Sequence, residues 1–169
     1  MRIGLISDSH HAFDRLQTAL DKLLGEGIDL LLHAGDMGSE AALEKMAALD
    51  VPSYAVFGNN DYRLFELRAR YNVEAEPWRV KHGELRIKLM HRPLYFENDG
   101  ADLTVFGHTH IPEAKLAGKT LVINPGEVCG RESGETHCAI AVRSETGWQV
   151  TQYRQDQNGW REETTEFTF

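Results

Sequence analysis

Over the first 60 residues, runs of consecutive apolar residues alternate with stretches whose apolar positions recur at helical spacing. RIGLIS, residues 2–7, predicts a buried strand. Residues 14–24 place Leu16, Leu20, Leu23 and Leu24 on one helical face, and Gly25 and Gly27 stop that helix. DLLLHAG, residues 29–35, is a second strand. Ser39 caps a helix over EAALEKMAAL, with Glu40 in its first turn. Val51-Pro52 leads into a third strand, SYAVF, residues 53–57. The order β-α-β-α-β implies right-handed crossovers and a parallel sheet.

A short helix is expected near residues 62–71, and then the texture changes. WRVKHGELRIKLMH predicts two strands around His82-Gly83. ADLTVF, THCAIAV and GWQVTQYR continue a β-rich half, and Lys115 to Val122 forms a hairpin turning at Gly118. Arg79, Lys81, Arg86 and Lys88 alternate with apolar residues, which predicts a solvated strand face. The tail from Gln155 to Phe169 alternates weakly, as an edge strand or a frayed end would. One domain over residues 1–169 is expected, with sheets packed together and helices outside.

Composition changes this picture little. The 169 residues are 41% apolar and 26% charged, ordinary for a globular domain. A formal net charge of −8 disfavours a general nucleic-acid surface, which needs basic residues to neutralise phosphates. It leaves room for a phosphate substrate at a cationic metal centre. No signal peptide or spanning segment is visible, so no membrane association is expected. Cys129 and Cys138 are too few for a disulfide framework, and the cytoplasm is the default.

The chemistry collects at strand ends, where open α/β sheets bind ligands. In order these ends are Ser7-Asp8-Ser9-His10, His33-Ala34-Gly35-Asp36, Gly58-Asn59-Asn60-Asp61, Met90-His91 and Gly107-His108-Thr109-His110. Among these residues are two carboxylates, one amide and four imidazoles that suit hard-to-borderline divalent metals. In Asp-x-His and His-x-His an extended backbone would put both side chains on one side.

The ordered set Asp8-Ser-His10, Gly35-Asp36, Gly58-Asn59-x-Asp61, His91 and Gly107-His108-Thr-His110 resembles the calcineurin-like metallophosphoesterase superfamily. The short chain and Ile123-Asn-Pro-Gly126-Glu-Val-Cys-Gly130 are similar to its small bacterial and archaeal phosphodiesterase branch. The resemblance spans roughly Met1 to Val142. It implies a four-layer α/β/β/α sandwich of two mixed sheets flanked by helices, with two divalent metal ions on its rim. It gives Asp8, His10 and His110 to one metal, Asn59, His91 and His108 to the other, and Asp36 to both. Asp36, Asn59 and His108 are implied as catalytic. The implied reaction is in-line attack on phosphorus by a hydroxide between the metals. The donor set contains nitrogen and oxygen and no thiolate, so manganese is the first choice, ahead of iron, nickel, cobalt, zinc and magnesium.

Several positions depart from the family pattern. Asn60 stands where many members carry a histidine thought to protonate the leaving group, and an amide does not titrate. A contribution of roughly 10²–10⁴-fold would then be missing, favouring good leaving groups. Asp61 is expected to support the site or shape its turn. Arg92-Pro93 replaces a common Gly-His, and residues 92–102 are too short and irregular for the expected helix. Asn59, His11 and Arg92 are the candidate substrate contacts. His33 is expected in the core or behind the ligands. Asn124, Gly126 and Glu127 suit a plain turn and a site-supporting loop equally, and Cys129 a small buried residue.

A metal-dependent phosphodiesterase acting on small or activated phosphodiesters is the first expectation. A phosphomonoesterase or nucleotide phosphatase is the same-class alternative. Gly35-Asp36-Met37 lacks the Asp-Arg-Gly continuation of serine/threonine protein phosphatases. A non-catalytic protein-interaction scaffold is the alternative from another class, and the complete ligand set opposes it. Strand edges in the β-rich half leave pairing into a homo-oligomer open.

Overall fold

A computed structural model describes residues 1–97 and 99–169. The first half follows the apolar pattern closely. Strand β1 (Arg2–Ile6) leads to helix α1 (Phe13–Gly25), β2 (Leu30–His33), α2 (Glu40–Ala47) and β3 (Ser53–Val56). The short helix expected near residues 62–71 is a 3-10 helix (Tyr62–Ala69), and a two-residue strand, β4 (Val73–Glu74), follows. Nothing in its two residues predicted β4; it exists because it pairs in parallel with β3.

The second half is β5 (Trp78–His82), β6 (Leu85–Leu89), β7 (Leu103–Val105), β8 (Glu113–Ala117), β9 (Thr120–Asn124), β10 (Thr136–Arg143), β11 (Gly147–Asp156) and β12 (Gly159–Thr168). The tail is thus an edge strand, antiparallel to β11. Two mixed sheets result. The seven-stranded sheet runs β12-β11-β10-β1-β2-β3-β4 and the five-stranded sheet β5-β6-β7-β9-β8. The strands β1 to β4 are mutually parallel, as the crossovers require, while β10 joins β1 antiparallel.

Alternation within strands separates two apolar layers. Ile3, Leu5, Leu30, Leu32 and Val56 face Ile87, Leu89, Val105 and Ile123, forming the core between the sheets. Ile6, Leu31, Ala55 and Ile140 face the other way, against Leu16, Leu20 and Leu23 of α1 and Leu43 and Met46 of α2. The fold is therefore the four-layer sandwich anticipated from the resemblance. Its fourth layer, outside the five-stranded sheet, is a strap that includes residues 92–97 and 99–101 in place of a helix. Met90, Phe106 and Val122 pack there against Tyr95.

Three local expectations differ from the structure. Leu24 is exposed, because Ala19 rather than Leu24 completes the buried face of α1. Ser39 occupies the N-cap position with extended backbone, but its hydroxyl makes no capping bond. Lys88 is not on a solvated face. It is 1% exposed, and its ammonium donates to the carbonyls of Tyr95 and Glu97, at 2.9 Å each. The carboxylate of Asp99 lies at 2.9 Å. The strap folding back over β6 buries this lysine, and alternation within β6 alone could not show that.

Candidate metal centre

The carboxyl ends of β1, β2, β3, β6 and β7 meet along one rim, and each delivers residues named above. Asp8, His10, Asp36, His108 and His110 all have left-handed backbones, with φ of 52°, 45°, 57°, 68° and 62°. No other non-glycine residue among those described does so. The extended geometry expected for Asp-x-His and His-x-His is therefore wrong. Consecutive tight turns, not a strand, bring these side chains to one side. Such backbones cost on the order of 1–3 kcal/mol each and persist only where the surroundings hold them. Here Asp8 N–H donates to Gly35 O at 3.0 Å and His10 N–H to Asp36 O at 2.8 Å. Gly58 is required for closeness: a methyl group there would overlap Asp36 Oδ1.

The side chains gather in two groups. Asp8, His10 and His110 offer donor atoms within 4.8 Å of one another, and so do Asp8, Asp36 and His91. Asp36 Oδ2 lies 3.9 Å from His10 Nε2 and 3.5 Å from His91 Nε2. His91 Nε2 also lies 3.0 Å from Asn59 Oδ1 and 3.2 Å from His108 Nδ1. Asp8, Asp36, His10 and His91 are buried, whereas Asn59 and His108 are exposed, so the rim opens to solvent on their side.

Other groups fix these donors. His91 Nδ1 donates to Ala34 O at 2.9 Å, which turns Nε2 toward Asp36, Asn59 and His108. His110 Nδ1 donates to Glu127 at 2.7 Å, which turns Nε2 toward Asp8 Oδ1 at 3.3 Å. Carboxylate or carbonyl partners behind ring nitrogens are the usual means of orienting metal-binding histidines. Asn60 donates to both oxygens of Asp36, and Asp61 accepts the N–H groups of Met37, Gly38 and Gly58. His33 accepts from Gly35 N–H at 3.2 Å, so its Nε2–H faces Ser9 Oγ at 2.9 Å. Burial holds its pKa down to about 4, keeping this tautomer neutral.

The electrostatics favour a cation. The Asp8 carboxylate, 3.3 Å from Nε2, outweighs burial and, with Glu127, raises His110 to about 9. Burial would raise Glu127, but the Ser133 N–H and hydroxyl bring it down to about 2. Burial would also raise Asp36, yet the bonds from His91 and Asn60 hold it well below the usual carboxylate range. Asp8 Oδ1 and His10 Nε2 are buried without any hydrogen-bond partner. Orphaned acceptors beside ionised carboxylates fit a divalent cation, the group that the resemblance implies. Cys129 is no competitor: burial pushes its thiol up to about 12, and it donates to Glu127 at 3.2 Å.

Among the described residues the side chains of the other candidates, Arg92 and His11, make no hydrogen bond or ion pair to these donors; the N–H groups of His91 and Arg92 share Glu76 Oε2. Arg92 is half exposed and pairs with Glu76 at 3.4 Å. His11 is exposed, with its ring edge-on to Phe13. Glu127, weighed equally as a turn residue, is fully buried and bonded to His110. The signal for it was the sequence neighbourhood Asn124-Pro-Gly126-Glu127, which says nothing about His110.

Residues 1–147 match the model of the calcineurin-like phosphoesterase superfamily domain. The chain is 34% identical over 132 residues to YsnB of Bacillus subtilis, named a probable metallophosphoesterase, covering 76% of this chain and 75% of YsnB. It is 26% identical over 146 residues to a phosphodiesterase of Methanocaldococcus jannaschii, covering 79% and 88%. Among solved structures, a Vps29 variant from Entamoeba histolytica superposes with a TM-score of 0.76 at 21% identity, covering 99% and 100%, a likeness of fold alone. With the matched domain, the relatives and the rim in agreement, the chain belongs to the calcineurin-like phosphoesterase superfamily.

Proposed function

We propose that the protein is a metal-dependent phosphodiesterase acting on small or activated phosphodiesters. The position of Asp36 carries this proposal: one carboxylate lies within 4 Å of ring nitrogens from both donor groups. Asp8, His10 and His110 would hold one cation, Asn59, His91 and His108 the other, and Asp36 both. Cations held there supply a nucleophile from water near neutral pH and positive charge for the phosphoryl oxygens. Manganese is the first choice on the nitrogen and oxygen donor set.

The chain's own residues do the rest. Asn60 keeps both oxygens of Asp36 fixed and holds no titratable proton, so it does not protonate a leaving group. Phosphoesters with good leaving groups are therefore preferred over those with poor ones. Asn59 and His108, on the exposed side, are the ligands that also face substrate. The curated relative named a phosphodiesterase supports this reaction class. Among the described residues no helix is long and apolar enough to cross a membrane, and both cysteines are free.

Hydrolysis of a bis-aryl phosphate and the matching aryl monophosphate tests the proposal. The protein is assayed after chelation and after refilling with manganese, with Asp36→Asn as control. Metal-dependent diester turnover that is lost in the control supports it. Stoichiometric metal binding without turnover, with any of several divalent ions, would favour a scaffold.

A further inference from the structure

Residues 127–135, leading into β10, form a loop built around one carboxylate. Glu127 Oε2 accepts from His110 Nδ1 at 2.7 Å and from the Arg131 N–H at 2.7 Å. Its other oxygen accepts the N–H groups of Glu132 and Ser133, at 2.8 and 2.6 Å, and the Ser133 hydroxyl at 2.8 Å. From the far side, Arg15 donates to Gly134 O at 3.0 Å and to Thr136 Oγ1 at 3.2 Å. Gly130, at φ 64°, passes so close that any side chain would run into the Arg15 guanidinium. The backbone of Arg131 is thus fixed one shared oxygen away from the ring of His110.

The Arg131 side chain is different. It is exposed, and among the described residues it forms neither an ion pair nor a side-chain hydrogen bond. Its own backbone N–H shares Glu127 Oε2 with His110 Nδ1, at 2.7 Å each, so an extended arginine side chain starting there is long enough to reach the rim. Arg92, the arginine that the sequence suggested, is held by Glu76. An unpaired guanidinium on a rigid loop beside a carboxylate-rich rim has an evident use in anion capture, because its fork matches phosphoryl oxygens.

We propose that Arg131 is a substrate-binding residue whose guanidinium takes a non-bridging oxygen of the phosphoryl group on the His110 side of the rim. The inference rests on the phosphodiesterase proposal for its substrate, but not for its anion. It predicts that a bare phosphate, the group common to substrate and product, uses the same contact.

Calorimetric titration of inorganic phosphate into manganese-loaded and chelated protein tests this. Arg131→Ala should weaken phosphate binding to the loaded protein by about tenfold to hundredfold, the range for a lost charge-assisted bond. Arg131→Lys should keep part of the affinity, since charge remains and the fork is lost. Lys119→Ala, on the exposed β8–β9 turn, should bind as wild type. KM for a bis-aryl phosphate should rise in parallel. Equal phosphate affinity in wild type and Arg131→Ala overturns the inference, as does a wild type that binds no phosphate. Arg131-dependent phosphate binding by a wild type that hydrolyses no diester would uphold it and defeat the diesterase proposal alone.

Discussion

Asn60 grips Asp36 twice: its amide donates to Oδ2 at 2.6 Å and its backbone N–H to Oδ1 at 2.8 Å. The residue that replaces the family's usual acid has therefore become a clamp on the carboxylate between the two donor groups. Asn60→Ala removes one of these bonds and should weaken manganese affinity by about tenfold to hundredfold, the usual cost of losing a partner behind a ligand. Metal titration of the chelated protein measures it. Asn60→His adds a titratable proton and should raise the ratio of poor to good leaving-group turnover. An unchanged ratio across a series of aryl esters would show that acid catalysis is not what position 60 lacks.

Cation binding should stabilise the fold, because Asp8 Oδ1 and His10 Nε2 are buried without partners. An ion at 100 times its Kd contributes about 2.7 kcal/mol. For a chain of this size that raises Tm by roughly 5–10 °C. Thermal melts with and without chelator check this, and the difference should shrink in Asp36→Asn.

Asp61 ties two ligand loops together. It is fully buried and accepts N–H groups from Met37 and Gly38 after β2 and from Gly58 after β3. Asp61→Ala leaves three donors without their acceptor and should cost about 3 kcal/mol. Urea unfolding gives the value, and a cost under about 0.5 kcal/mol would mean that water replaces the carboxylate.

Away from the rim, Asp102 gives a pH dependence. Burial would raise its pKa, but bonds from the Arg86 side chain and N–H, with Arg143 nearby, hold it below the ordinary value. A depressed carboxyl contributes stability that is full above its unfolded pKa of about 4 and is lost as pH falls through the folded pKa. Urea midpoints between pH 7 and pH 3 should therefore fall less steeply in Asp102→Asn than in wild type. Parallel acid limbs would rule this group out.

Much of the architecture was legible because strands and helices announce themselves locally. RIGLIS, DLLLHAG and SYAVF are apolar runs that break abruptly into polar residues, and those breaks mark the rim where Asp8, Asp36 and Asn59 lie. The strap over the five-stranded sheet was legible in part: residues 92–102 were visibly too irregular for a helix, but nothing showed that they would bury Lys88.

The sequence by itself determined which chemical groups stand at the strand ends and in what order, since periodicity and its interruption are properties of neighbouring residues. Only the tertiary structure decided how those groups are held. Five donor residues adopt left-handed turns that no short motif demands, and hydrogen bonds donated by β1's loop to carbonyls of β2's loop hold two of them. Glu127 became the partner of His110 from 17 residues away, and Glu76 took Arg92 from 16. These outcomes depend on which distant segment arrives to satisfy a buried polar group, a condition that exists only once the chain has folded.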